Sequence, residues 1–259
     1  MRERQARSNP DRQPGRAPDS QRRRRPWICG SRIAENGNLV RGKWEKIARN
    51  LASATARDAA RLLGQLAARS GQVLNITPVA GAIGLERSTA ENYVKLLEAV
   101  FLVHRLPAWG TTLGSRVVKH PKVHILDSGV MAWLLSLTPE KITQADPSTL
   151  TEYGHLLETF AVGEILKQVS WSDAPVTVGY FRTERGDEVD LVLERDDGQV
   201  IAFEIKAGTR VGGEDLHGLR LLKERLGPRL QEAVILYTGQ YAYRYEDWAW
   251  VLPLSQLWA

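Results

Sequence analysis

Two neighbouring stretches of alternating side chains, joined by a tight turn, constrain the fold of this chain more than any other feature. Residues 186–208 read GDEVDLVLERDDGQVIAFEIKAG. Apolar and polar residues alternate in both stretches, which is the period of a half-buried β-strand. The Asp-Gly pair between them is typical of a hairpin turn. The sequence therefore predicts two antiparallel strands within a larger sheet.

The alternation also predicts which side chains share a face, because successive residues of a strand point to opposite sides. The apolar face is predicted to contain Val189, Leu191 and Leu193 from the first strand and Ile201, Phe203 and Ile205 from the second. The opposite face then carries Asp190, Glu204 and Lys206. We expect these three side chains to lie within a few ångströms of one another, with Glu158 of the preceding helix nearby.

Carboxylates that converge from neighbouring strands are suited to a hard cation such as Mg²⁺, which prefers oxygen ligands. Asp190 and Glu204 are the candidate metal ligands. Lys206 lies about 6–7 Å further along the same face than Glu204, where an ammonium can hold a water or stabilise charge on a phosphate. In the alternative interpretation, the same residues are solvated side chains on the surface of a sheet.

The elements around the hairpin are predicted from periodicity and from end signals. A helix over GHLLETFAVGEILKQVS precedes it, and the strands VTVGYFRT, EVDLVLER and VIAFEIKAG follow. A second helix, GEDLHGLRLLKERLG, ends at Gly227 and leads to the buried strand EAVILYTG and a further strand. The order α-β-β-β-α-β and the mixture of elements predict an α+β or α/β domain over residues 146–259.

The preceding region, residues 46–145, is predicted to be a winged helix-turn-helix domain. A helical pattern over residues 43–70 is followed by a short helix with Thr77 as N-cap and Pro78 at its first position, ended by Gly84. A longer helix then begins with the capping box of Ser88 and Glu91. The extended stretches FLVHRLPAW and KVHILD follow it. A short helix, a turn and a longer helix form the helix-turn-helix pattern.

The longer helix carries two faces. Its apolar face is predicted to contain Tyr93, Leu96, Leu97, Val100 and Phe101. Its candidate nucleic-acid-binding face contains Arg87, Ser88, Thr89, Asn92 and Lys95. Glu86, Glu91 and Glu98 dilute the positive charge of this helix, and winged helices also serve as protein-contact modules. The sequence therefore leaves both DNA and a protein as candidate partners of this helix.

Charge is distributed unevenly along the chain. Residues 1–50 contain 14 Lys and Arg against 5 Asp and Glu, whereas the remaining residues contain 21 against 25. Residues 1–45 are rich in Arg and Pro and poor in apolar side chains, so we predict a disordered basic tail. Affinity for nucleic acid is expected to be weak and to depend on this tail. No apolar signal-peptide core or membrane-length apolar run is present, and a single cysteine fits a cytoplasmic protein.

The hairpin and its neighbours resemble the PD-(D/E)XK nuclease-like superfamily. The residues that carry the resemblance are Asp190, the E-x-K element Glu204-Ile205-Lys206, and Glu158 on the first helix. The resemblance implies a catalytic set of Glu158, Asp190, Glu204 and Lys206. In that set Asp190 and Glu204 bind the metal, Glu158 is an auxiliary acid, and Lys206 orients water or phosphate. Members of this superfamily also keep the fold without the chemistry.

A longer resemblance covers about residues 57–240. The stretches GQVLNITPVAGAIGLERSTAENYVKLLEAVFLVHRLPAW, PKVHILDSGVMAWLL, GHLLETFAVGEI, YFRTERGDEVDLVLE and IAFEIKAG together resemble domain of unknown function 4143. That domain is the C-terminal region of a prokaryotic AAA-type ATPase family. The phosphate-binding motif G-x-x-x-x-G-K-[ST] does not occur in this sequence, so we expect a truncated region that has no ATP site. The expected function is binding of DNA or a partner, and the alternative is a Mg²⁺-dependent phosphodiesterase (nuclease).

Overall fold

A computed structural model describes residues 54–110, 120–144 and 146–258. The predicted tail of residues 1–45 and the start of the first predicted helix lie outside the described residues. Within the described ranges, helices combine with a three-stranded sheet and a six-stranded mixed sheet. This confirms a mixed α+β fold. None of the helices in these ranges has the length and the apolar character needed to cross a membrane.

The N-terminal region, residues 54–144, contains the predicted succession of helices and strands. Its helices are α1 (Ala54–Ala67), α2 (Ile76–Ala82), α3 (Arg87–Ala99), α4 (Ser128–Leu134) and α5 (Pro139–Gln144). Its strands are β1 (Gln72–Val73), β2 (Val103–Leu106) and β3 (Lys122–Ile125). The strands form an antiparallel sheet in the order β1-β3-β2. One apolar cluster, built from α1, α2, α3 and this sheet, forms the core.

The helix starts differ from the sequence-based prediction. The N-cap of α2 is Asn75, whose side chain accepts a hydrogen bond from the Thr77 N–H, so Thr77 is inside the helix. The N-cap of α3 is Glu86, without a side-chain cap bond, and Ser88 therefore forms no capping box. Both helices start earlier than predicted, because a Ser or Thr inside the first turn resembles a cap residue in sequence.

The apolar face of α3 also differs from the prediction. The buried residues are Ala90, Val94 and Leu97, at the spacing of one helix face. By contrast, Leu96, Val100 and Phe101 are exposed by 53%, 55% and 78%. The helix ends at Ala99, and Phe101 has a positive φ of 57° as the chain turns towards β2. Leu97 therefore faces the core, whereas Leu96 and the two residues that follow the helix point away from it.

The C-terminal region, residues 146–258, has the predicted order of one helix, three strands, one helix and one strand. Its helices are α6 (Pro147–Ser170) and α7 (His217–Leu226). Its strands are β4 (Val176–Arg182), β5 (Glu188–Arg195), β6 (Val200–Lys206), β7 (Leu230–Tyr237), β8 (Tyr243–Glu246) and β9 (Ala249–Pro253). The sheet order is β4-β5-β6-β7-β9-β8. Strands β6, β7 and β9 pair in parallel, and the other pairs are antiparallel.

The six-stranded sheet has an apolar layer on each face. On one face, residues of α6 such as Leu157 and Ala161 pack against Leu191 and Ile205 of the sheet. On the other face, leucines of α7 pack against a second set of strand residues. The N-terminal region contributes to both layers through Leu106, Ala108 and Trp109. Ala108 also forms an isolated parallel bridge with Tyr180 of β4.

A β-bulge changes the predicted side-chain alternation in β5. Gly179 of β4 pairs with Val192, whereas Phe181 pairs with Val189, so two β5 residues lie opposite one β4 residue. As a result, Val189 belongs to the layer with α7, and Leu191 belongs to the layer with α6. The prediction that both share a face is wrong, because the extra residue shifts the alternation by one. The residue between them is Asp190.

Candidate carboxylate–lysine site

Asp190 lies at the bulge and is buried. One carboxylate oxygen, Oδ2, accepts a hydrogen bond from the Ile205 N–H at 2.9 Å. The other, Oδ1, accepts a bond from Lys122 Nζ at 3.2 Å. Both oxygens of Asp190 are therefore engaged by groups of the protein itself.

Lys122 is the central cation of the site. It comes from β3 of the N-terminal region and has no exposed surface. Its Nζ lies 2.8 Å from Glu158 Oε1 and 3.2 Å from Asp190 Oδ1, and it also pairs with Glu188. Three carboxylates from α6 and β5 thus surround one ammonium that belongs to another part of the chain.

Sequence reasoning missed both Lys122 and Glu188. The stretch KVHI gives one signal, because a strand in which Lys and His alternate with apolar residues has two faces of different character. The structure shows all four residues of this strand to be buried. Only the packing of β3 against the C-terminal region reveals that the lysine side of the strand is enclosed by acids.

The surroundings shift the pKa values of this cluster. Burial disfavours the ammonium of Lys122, but the charges of Asp190, Glu158 and Glu188 together outweigh it and raise the pKa of Lys122. Burial, followed by the charge of Asp190, raises the pKa of Glu158 well above its usual range, although Lys122 opposes this effect.

Glu204 and Lys206 form a second pair on β6. Lys206 Nζ lies 2.9 Å from Glu204 Oε1 and 3.6 Å from Asp215 Oδ1, just before α7. Glu204 Oε2 is buried and has no hydrogen-bond partner. Burial, followed by the charge of Asp190, raises the pKa of Glu204 to about 8. The structure therefore brings Glu204 and Lys206 into contact, while Asp190 and Glu158 meet at Lys122.

A polar network continues from the carboxylates towards the N-terminal region. Thr159, next to Glu158 on α6, lies 2.9 Å from Ser70 Oγ and 3.1 Å from His124 Nδ1, measured from its Oγ1. Gly71 has φ of +79°, and a Cβ there would lie 2.8 Å from Glu158 Oε2. Glycine at this position lets the backbone approach the carboxylate closely.

Groups of the protein already engage several oxygens of these acids. Both oxygens of Asp190 accept hydrogen bonds, and one oxygen of Glu204 is paired with Lys206. Among the described residues, no group of three or more His, Cys, Asp or Glu side chains is arranged to hold a metal ion. A divalent cation at Asp190 would have to compete with the buried ammonium of Lys122. The catalytic and metal-binding roles of Glu158, Asp190, Glu204 and Lys206 remain predictions.

The candidate nucleic-acid-binding residues lie apart from this cluster, on α3. Arg87, Ser88, Asn92 and Lys95 are exposed, and Thr89 is half-buried. Their contact with nucleic acid remains a prediction. Arg105 of β2 pairs with two of the acids that dilute the charge of this helix: its Nη2 lies 2.7 Å from Glu98 Oε2, and its Nη1 contacts Glu91.

Comparison with known proteins finds two family models that match separate parts of the chain. Residues 153–257 match the Domain of unknown function (DUF4143). This covers most of α6, the six-stranded sheet and α7, and it confirms the domain named from the sequence motifs. The match does not extend to the N-terminal stretches, so the predicted extent of about residues 57–240 is wrong. Residues 45–141 match a second Domain of unknown function (DUF8612).

Two mycobacterial proteins are similar to most of the chain. They are the "Uncharacterized protein Rv2008c" of Mycobacterium tuberculosis and the "Uncharacterized protein Mb2031c" of Mycobacterium bovis, each 26% identical over 193 residues. The match covers 74% of this chain and 41% of each relative, so the chain spans less than half the length of these curated relatives. No solved structure matches the chain.

Proposed function

We propose that this chain is a non-catalytic, partner-binding region of a protein of the AAA-type ATPase family. In this proposal the N-terminal region is a winged helix and the C-terminal region is a PD-(D/E)XK nuclease-like domain. The DUF4143 match over residues 153–257 supports the proposal, as does the greater length of the mycobacterial relatives.

One observation carries the non-catalytic part of the proposal. The acids that a nuclease of this fold would use are paired with lysines of the same chain, with Lys122 at Glu158 and Asp190 and Lys206 at Glu204. A metal ion at these acids would lie next to a lysine ammonium of the same chain, and like charges repel each other. The acids are therefore proposed to stabilise the protein rather than to perform chemistry.

The exposed end of α3 favours a protein partner over DNA. Leu96, Val100 and Phe101 are exposed apolar residues close together in the chain, next to the basic residue Lys95. A bulky side chain at positive φ is strained, and an exposed aromatic ring gains nothing from folding. Contiguous exposed apolar side chains are typical of protein-contact sites. We therefore propose that this surface contacts the ATPase part of the longer protein.

Cleavage assays test the non-catalytic part. The wild-type protein and Asp190→Ala are incubated with single- and double-stranded DNA and RNA in the presence of Mg²⁺ or Mn²⁺. We expect no metal-dependent cleavage that distinguishes the two proteins. Metal-dependent cleavage that is lost in both Asp190→Ala and Glu204→Ala would support the alternative, a Mg²⁺-dependent phosphodiesterase, and would contradict this proposal.

Calorimetry tests the partner. The segment of the M. tuberculosis relative outside the matched stretch is purified and titrated with the full chain. Phe101→Ser should lower the affinity at least tenfold, because it removes the most exposed side chain of the surface. Trp171→Ser is the matched control, since Trp171 is 77% exposed at the end of α6. An equal loss in both variants, or binding of duplex DNA that depends on Phe101, would contradict the protein partner.

A further inference from the structure

The carboxylate–lysine cluster, defined as Lys122 with Glu158, Glu188 and Asp190, joins two parts of the chain that are distant in sequence. The lysine is on the three-stranded sheet of the N-terminal region, whereas the acids are on α6 and β5 of the C-terminal region. All three acids meet at a single ammonium. The cluster is therefore a contact between the two regions and not a feature of one of them.

Because the groups of this contact are buried, each charge in it needs a partner of opposite sign. Lys122 has no exposed surface, and Glu158 and Asp190 are each 8% exposed. An ammonium or a carboxylate enclosed in this way is strongly destabilising unless a partner of opposite charge is present. If Lys122 lost its acids while it stayed buried, or the acids lost Lys122, the charge of the remaining group would be uncompensated.

The neighbouring polar contacts connect the same two surfaces. Next to Glu158, Thr159 bonds to Ser70 and to His124 of the N-terminal region. On the other side, the Tyr180 hydroxyl of β4 donates to the His120 carbonyl at 2.5 Å. The backbone of Gly71 lies directly against Glu158. Lys122 is at the centre of this set, between the contacts made by α6 and those made by the sheet.

We infer that Lys122 is the resident cation of the carboxylate–lysine cluster and that this cluster locks the N-terminal region onto α6 and β5. The ammonium of Lys122, from the neighbouring region, pairs with Asp190, which is one of the two expected metal ligands. The acids thus fix the relative placement of the two regions. This inference concerns the assembly of the chain, and it stands independently of which partner the proposed function requires.

Thermal unfolding of four full-length proteins tests the inference. They are the wild type, Lys122→Met, the acid-neutral protein Glu158→Gln/Glu188→Gln/Asp190→Asn, and the combination of both changes. In the wild type, Lys122→Met should lower the midpoint by on the order of 10 °C, because Glu158 and Asp190 lose their cation, whereas Glu188 still pairs with Arg182. In the acid-neutral protein the same change should raise the midpoint, because it removes a buried lysine without a partner.

The reversal of sign is the decisive result. If Lys122→Met alone does not fold, the midpoints of the acid-neutral protein with and without Lys122→Met still show whether Lys122 destabilises a protein that lacks the acids. Lys167→Met, which removes an exposed ion pair with Glu164 on α6, is the control and should shift the midpoint by no more than about 2 °C.

Two outcomes would overturn the inference. In the first, Lys122→Met lowers the midpoint equally in both backgrounds. In the second, Mn²⁺ raises the midpoint of the wild type but not of the acid-neutral protein, which would mean that the acids hold a metal while Lys122 is in place. Cleavage by the wild type would count against the proposed function, whereas the sign reversal tests whether the carboxylate–lysine cluster holds the two regions together.

Discussion

His124 is a buried histidine whose environment holds it in the neutral form. It is 1% exposed, its Nδ1 lies 3.1 Å from Thr159 Oγ1, and its Nε2 has no hydrogen-bond partner. Burial, followed by the positive charge of Lys122, lowers the pKa of His124 well below 6.5. An unfolded chain has an ordinary histidine, which takes up a proton as the pH falls through about 6.5.

We therefore predict that His124 makes the protein less stable below pH 6.5. The unfolded state then binds more protons than the folded state, so the free energy of unfolding falls by up to about 1.4 kcal/mol per pH unit from this group. Denaturant unfolding between pH 5 and 8 measures the effect. His124→Asn should flatten the slope below pH 6.5 and leave the slope above pH 7 unchanged. Parallel profiles over the whole range would contradict the prediction.

Ser70 gives a second prediction at the residue scale. Its Oγ accepts the Ile125 N–H at 3.0 Å and lies 2.9 Å from Thr159 Oγ1, and Ser70 is fully buried. Ser70→Ala leaves the Ile125 amide buried without an acceptor, which should cost about 1–3 kcal/mol of unfolding free energy. Ser170→Ala removes an exposed hydroxyl at the end of α6 and should change stability by less than about 0.5 kcal/mol. Similar losses in both variants would refute the assignment.

The residues of the site were only partly predictable from the sequence. Strand alternation is a local property, so it identified Glu204 and Lys206, which are two positions apart on one strand and in contact. Asp190 was identified as a site residue, but its main partner was not. Lys122 is 68 positions away from Asp190, and the contact exists because β3 packs against the C-terminal region, where its lysine reaches β5. No periodic signal reports a contact of that kind.

At the scale of elements, α7 packs onto β5 with almost no space between them. A Cβ at Gly218 of α7 would lie 2.0 Å from the Glu188 carbonyl oxygen, which a real side chain cannot do. Gly218→Ala must therefore push the helix away from the sheet. We expect a loss of about 1–3 kcal/mol in unfolding free energy, and more if the leucine layer also separates.

Gly154 of α6 provides the matched control for that change. It is also helical, but a Cβ there would have no heavy atom within 4 Å. Gly154→Ala should therefore stabilise the protein by about 0.5–1 kcal/mol, because alanine is the better helix former. Denaturant unfolding of the two variants measures both effects. The packing argument fails if the two substitutions change stability in the same direction.

The order of the elements was predictable, whereas their faces were less so. Helices and strands differ in period, and that difference is visible in sequence. Which side chains of β5 and α3 face the core depended on local features that do not appear in the hydrophobic period. In β5 a bulge shifted the alternation between Val189 and Leu191. In α3, Leu97 continued the buried face, whereas Leu96 is on the exposed side of the helix and Val100 and Phe101 lie beyond its end at Ala99.

At the scale of the whole molecule, the two regions share their cores as well as an ion cluster. Trp109 of the N-terminal region packs in the layer beneath α7 and donates from its Nε1 to Glu194 Oε2 at 3.0 Å. Leu106 and Ala108 enter the layer beneath α6. The predicted boundary near residue 145 remains a prediction, but chain on its N-terminal side completes the C-terminal core. Cutting the chain there would expose apolar surface in both parts.

Charge distribution gives the last prediction, which concerns nucleic acid. Residues 1–50 carry 14 Lys and Arg against 5 Asp and Glu, and the rest of the chain carries 21 against 25. Binding to DNA phosphates releases counterions in proportion to the basic groups that make contact. The affinity of the full chain for duplex DNA should therefore fall steeply with KCl concentration, whereas the affinity of a chain without residues 1–50 should be weak and nearly independent of salt. Fluorescence anisotropy at several salt concentrations measures both slopes.

Arg87→Gln/Lys95→Gln in the full chain is the control, and it should reduce the slope by no more than about 2. Equal slopes with and without residues 1–50 would instead assign the phosphate contacts to the exposed face of α3.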